Sequence, residues 1–180
     1  MQCRDVFDLV LGFGGRATIP AQIRDVMSAV IERFGVNKNA DLLWDAIIQV
    51  VSHDLDLLRV NNVVAVYRER GSETIDCRAI GLHSPPMRPW GIEFAACNTD
   101  RCTPKPYEFH TRTNAHGVSM QCRRCGWSSA VVKMSDIQEY VFPFNSTLPD
   151  VYWHAYPTST ALAAIFVTVT KHKQSRIHHT

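Results

Sequence analysis

The sequence predicts an α+β fold in which a helical pair packs on a small antiparallel sheet and a cysteine-bearing β-hairpin module follows. Three observations lead there. Apolar residues recur at three- and four-residue spacing between residues 20 and 51. They give way to β-branched and alternating runs at residues 63–67 and 75–79. Two cysteine pairs then bracket a second alternating segment.

The first helix starts at Pro20, a residue suited to a first helical turn, and carries the stripe Ile23, Val26, Met27, Val30, Ile31 and Phe34. Gly35 is its predicted C-cap. Asn39 is the predicted N-cap of a second helix with the stripe Leu42, Leu43, Ala46, Ile47, Val50 and Val51. Both stripes read as core faces. Ser52 to Leu58 offers a further helical turn. Val63 to Tyr67 reads as a strand, and Ile75, Cys77 and Ala79 alternate with polar neighbours as its partner, with Gly71-Ser72 as the turn between them. Upstream, Gly12, Gly14 and Gly15 follow the short apolar run Leu9 to Leu11 and predict a tight turn; the Gly-Lys-Ser/Thr ending of a phosphate loop is missing.

Pro85, Pro86 and Pro89 mark the expected boundary of a first part, residues 1–84, from a module at residues 85–134. Residues 135–170 form a C-terminal packing segment and residues 171–180 a basic tail. Within that segment Ser135 and Gln138 suggest a capping box for a short helix. Pro143, Pro149 and Pro157 suggest an irregular stretch. Ala161 to Thr170 reads as a strand or a buried helix, its Val167-Thr-Val169-Thr ending favouring strand.

The module holds the strongest motif: Cys97-Asn-Thr-Asp-Arg-Cys102, then nineteen residues, then Cys122-Arg-Arg-Cys125-Gly126. Two tight turns, each bearing two cysteines, can approach from opposite sides and supply the four thiolates that a tetrahedral zinc ion favours. Between them Thr111 alternates with His110 and Arg112, Asn114 to Gly117 is turn-like, and Val118, Met120 and Cys122 alternate back, as a hairpin requires. Ser128 to Val132 can add a third strand. His110 and His116 are alternative ligands for a three-cysteine site. Cys77 reads as a core thiol.

Over residues 97–132 this arrangement resembles a zinc ribbon, a family in which cysteine-bearing knuckles flank a β-hairpin. The second pair has the usual two-residue spacing and the first has four. The resemblance implies a local fold and a structural zinc ion at Cys97, Cys102, Cys122 and Cys125, and no particular activity.

Composition narrows the function. The chain of 180 residues has a net charge of +2, too near zero to argue for nucleic acid by itself. Residues 101–133 nonetheless carry six basic residues against one acid, Glu108. Arg112, Arg123, Arg124 and Trp127 are therefore the candidate contacts to DNA or RNA. Charges at Arg4, Asp5 and Asp8 interrupt any signal peptide, and no apolar run spans a membrane, which predicts an intracellular chain, cytoplasmic or nuclear, with reduced cysteines. No nucleophile motif surrounds a serine or cysteine, and Ser52-His53-Asp54 with Asp56 reads as helix capping, so no enzyme is expected. The sequence thus points to a zinc-binding adaptor whose partner is another protein, with nucleic-acid binding as the alternative.

Overall fold

The computed structural model describes residues 9–14, 20–33, 42–84, 88–92, 97, 101–103, 105 and 108–167. The Gly35 and Asn39 caps, Phe34, Gly15, the Pro85-Pro86 pair and the 171–180 tail lie outside the described residues. The fold is α+β, with a five-stranded antiparallel sheet, a two-stranded sheet and five helices among the described residues.

The chain begins with β1 (Leu9–Phe13), α1 (Pro20–Ile31), α2 (Leu43–His53), α3 (Leu55–Val60), β2 (Val63–Tyr67) and β3 (Asp76–Leu82). Helix α1 buries Val26 and Val30, while Ile31 at its end is exposed. Helix α2 buries Leu43, Ala46, Ile47 and Val51 as the stripe predicts, whereas Leu42 stays outside. The first free N–H groups of α2 are satisfied from afar. The Glu69 carboxylate accepts from Leu43 and Trp44 N–H at 2.8 and 2.9 Å, placing a negative charge at the helix N-terminus. Asp54 caps α3 by accepting from Leu57 N–H at 2.9 Å, so the Ser-His-Asp run is indeed a helix junction.

After a 3-10 turn at Pro89–Gly91 come β4 (Phe109–Asn114), β5 (Gly117–Cys122), α4 (Met134–Ile137), β6 (Val141–Asn145), β7 (Leu148–Ala155) and α5 (Thr160–Val167). Three expectations change here. The cap of α4 is Lys133 with Asp136, whose carboxylate accepts from Lys133 N–H at 2.8 Å, two residues before the Ser135–Gln138 pair. The proline-punctuated stretch is a hairpin, β6–β7. Pro143 is tolerated because β6 lies at the sheet edge, and Asn145 Oδ1 closes the turn by accepting from Thr147 N–H and Leu148 N–H. The 161–167 run is helix rather than strand: Leu162 and Phe166, four apart, are both 1% exposed, so one helical face packs inward, while residues 168–170 of the β-branched ending lie outside the described residues.

The strand order is β1-β2-β3-β7-β6. Period-two alternation divides the sheet into two faces. Leu11, Ala65, Ile80 and Trp153 point to one side and pack with α1, α2 and α3 in a first core. Tyr152 and Val141 point to the other, where α4, α5 and the cysteine module form a second core. A seam of close backbone contact joins the two. A Cβ on Gly81 would stand 2.5 Å from the Gly91 carbonyl oxygen, so only glycines permit this approach, and Gly91 also needs its φ of 72°. The buried Arg88 guanidinium donates to Asn62 Oδ1 at 2.9 Å and to the Arg59 carbonyl, and Asn62 Nδ2 donates to the Gly91 carbonyl at 3.0 Å. Trp90, 7% exposed, enters the second core and so ties the seam to the module.

Candidate metal centre

The β4–β5 hairpin carries the site. Its strands pair from Phe109 opposite Cys122 to Asn114 opposite Gly117. On β5 Val118, Met120 and Cys122 are buried and the residues between them half-buried, so the alternation that suggested the strand also turns the Cys122 thiol inward. Residues 128–132 add a third, irregular ladder. Val118 and Val132 exchange N–H···O bonds of 2.8 Å, and Ser129 N–H donates to the Met120 carbonyl at 2.8 Å. Gly117 makes this possible, because any side chain there would run into the Val132 carbonyl.

The second knuckle turns tightly at Gly126, φ 76°, whose N–H donates to the Cys122 carbonyl at 2.9 Å. In the first knuckle Arg101 takes the same left-handed region at φ 58°, a departure that accompanies the longer Cys97–Cys102 spacing. The knuckles are tied together: Arg124 Nη1 donates to the Thr103 carbonyl at 2.7 Å, and Arg123 N–H to the Glu108 carbonyl at 2.7 Å.

These turns bring the sulfurs of Cys97, Cys102, Cys122 and Cys125 within 4.8 Å of one another. Cys97 and Cys125 stand 3.4 Å apart, Cys102 and Cys122 3.7 Å, beyond the length of about 2.05 Å of a disulfide. None of the four is in a disulfide. Neither His110 nor His116 belongs to this group, so the three-cysteine alternatives are not formed. The four cysteines can hold a metal ion. The Cys102 thiol is pushed up to about 12 by burial, reinforced by hydrogen bonding to Cys125, Cys122 and Cys97. A divalent cation reverses that tendency by compensating the thiolates it binds.

Among the candidate nucleic-acid contacts, Arg112 and Arg123 have exposed side chains. Arg124 is exposed but engaged with Thr103. Trp127 is 7% exposed and packs in the second core, so its ring fills the module rather than offering a stacking face. Cys77 lies apart on β3, half-buried. No helix among the described residues is long and apolar enough to cross a membrane.

No family model, curated protein or solved structure matches the chain.

Sequence spacing found the four sulfurs. It missed Glu69 as a cap, because Glu69 acts on residues more than 20 positions away.

Proposed function

We propose that Cys97, Cys102, Cys122 and Cys125 bind one structural zinc ion and that the chain is an intracellular, non-catalytic adaptor whose module shapes a protein-binding surface. The observation that carries the metal assignment is the sulfur geometry. Zinc with bonds of about 2.3 Å to four tetrahedral thiolates sets its sulfurs about 3.8 Å apart, and the Cys97–Cys125 and Cys102–Cys122 pairs stand at 3.4 and 3.7 Å. The hairpin between two cysteine turns, with a third ladder beside it, supports the resemblance to a zinc ribbon. Four cysteine ligands leave no coordination position for substrate or water, which favours a structural over a catalytic ion.

Metal analysis of protein purified without added zinc tests this. One zinc per chain is expected, and Cys122→Ser should abolish it. Zinc-free protein with all four thiols titratable would overturn the assignment. Exposed Arg112 and Arg123 on a locally basic module keep a nucleic-acid reading in view. If it holds, binding to DNA or RNA weakens steeply with salt, and replacing both arginines by alanine lowers the logarithmic salt slope by roughly two. Binding unaffected by that double substitution leaves the protein-adaptor reading.

A further inference from the structure

The two edges of the large sheet differ. Edge strand β6 contains Pro143, which has no N–H to offer, and its register shifts between Pro143 and Asn145. Both devices discourage a further strand. Edge strand β1 has neither. It reads Leu-Val-Leu-Gly-Phe, keeps unbroken register with β2, and among the described residues pairs with β2 alone.

The direction of its peptide groups follows from one bond. Gly14 N–H donates to the Asn62 carbonyl at 2.9 Å, continuing the register in which Phe13 faces Val63. In an antiparallel ladder every second residue bonds to the same neighbour. Val10 and Gly12 therefore bond to β2, while Leu9, Leu11 and Phe13 turn their peptide groups outward. On the sheet face opposite the first core, Val10 is 52% exposed. Gly12 beside it is open, since a Cβ there meets nothing nearer than the Val64 carbonyl oxygen at 3.8 Å. Half-buried Val64, Val66 and Cys77 continue this apolar strip inward from the edge.

We propose that β1 pairs antiparallel with β1 of a second copy of this chain, about a two-fold axis through Leu11, joining two sheets into one. In that register Leu9 faces the second copy's Phe13, and Leu11 faces its own counterpart. These are the residues with outward peptide groups, so each pair exchanges both N–H···O bonds. Val10 then faces the second copy's Gly12, so each exposed side chain meets a position that has none. Registers two residues away shorten the pairing and set Val10 against Val10 or Gly12 against Gly12. The strand is uncharged, so the two-fold brings no like charges together. This pairing does not rest on the zinc assignment, because β1 belongs to the first-core half of the molecule.

The test uses the full chain and exposed positions only. Sedimentation across the micromolar range should show a concentration-dependent particle of about twice 20.3 kDa. Val10→Lys with Gly12→Lys places an introduced lysine opposite an introduced lysine at both crossings and should weaken the dimer by roughly tenfold or more. Val10→Lys with Gly12→Glu places opposite charges there and should restore it. Amide exchange at Leu11 should slow as concentration rises in the unmodified protein and not in the double-lysine variant. A monomer at all concentrations, as expected if the edge serves a strand of another protein, would overturn the proposal. So would a dimer indifferent to both charge pairs, which would place the contact elsewhere.

Discussion

The two cores lie on opposite faces of one sheet and are held by different physics. The first is aliphatic and large: Leu43, Ile47, Val51, Leu57, Leu58, Val63 and Ile80 are each at most 1% exposed and come from helices and strands that bury one another. Burial alone accounts for such a core. The second borrows Val141, Leu162 and Phe166 from the sheet side but wraps them around Cys97, Cys122, Trp127 and a short hairpin. At its centre are four clustered sulfurs, and burial keeps the Cys102 thiol protonated unless a cation compensates it. One face therefore folds on apolar area, and the other gathers four cysteines that can hold a metal ion. A structural metal belongs where a module is too small to supply its own core.

Metal removal should break this comparison most visibly. The four tryptophans divide evenly, Trp44 and Trp153 with the first core and Trp90 and Trp127 with the second. Structural zinc contributes roughly 10–16 kcal/mol in isolated finger peptides, so loss of a zinc ion bound as proposed would outweigh the loss of any single contact. Chelation, or Cys122→Ser, should therefore move the Trp127 indole resonance most, with Trp90 following, and leave Trp44 and Trp153 near their places. Equal loss at all four would show that the first core cannot stand without the module.

The converse perturbation is Ile80→Ala. Ile80 is 0% exposed on β3 opposite Val63 and Trp153. Truncating it should cost about 2–5 kcal/mol in urea unfolding without changing metal content. A drop in bound metal would show that the sheet, not the knuckles, positions the sulfurs.

What the sequence disclosed follows the same division. Periodicity revealed the helical stripes and the β2–β3 pair because those segments bury one face against their neighbours. Cysteine spacing revealed the sulfur cluster because each pair is close in the sequence and the hairpin between them is local. The β6–β7 hairpin was hidden by Pro143, permissible because β6 is an edge, and by Pro149, which sits at the start of β7 before its pairing with β3 begins at Val151; both are facts of topology rather than of local sequence. Helix α5 was hidden by β-branched residues at its end. Trp127 could be read as a stacking ring or a core ring, and only the second core, assembled from residues 90 to 166, decides between them. Basic residues gave the charge of the module but not the fact that Arg124 spends its guanidinium on the first knuckle.

The seam between the faces yields a smaller effect. Gly81→Ala forces a methyl against the Gly91 backbone and Asn62 Oδ1, the latter 2.8 Å from the added carbon. Backbone gives way less easily than a side chain, so a loss of about 1–3 kcal/mol is expected. Because Asn62 also receives the Arg88 guanidinium, Arg88→Met combined with Gly81→Ala should cost less than the two changes added separately. Strict additivity in urea midpoints would separate the glycine contact from the polar strut.

The smallest effect is on pH, and it too separates the faces. In the first core burial raises the Tyr67 hydroxyl, far from the acid range. Two histidines with lowered pKa lie on the other side of the sheet. His154 is 3% exposed on β7, its Nδ1 bonded to the Ala155 carbonyl at 2.8 Å, and burial lowers its pKa. His83 is lowered by burial as well. Its Nδ1 accepts from Trp90 N–H at 2.7 Å, so that nitrogen carries no proton and protonating it removes the bond. A folded pKa below the ordinary value of about 6.5 means that the unfolded chain takes the proton first. Stability is then full above that pH and declines as pH falls through it. Urea midpoints at about pH 8 and about pH 5 should differ in that sense. His154→Leu should shrink the difference and leave the share of His83, whose loss should appear first at the Trp90 indole. A midpoint that rises on acidification would mean that the folded protein gains protons on this face, and the account of both histidines would fail.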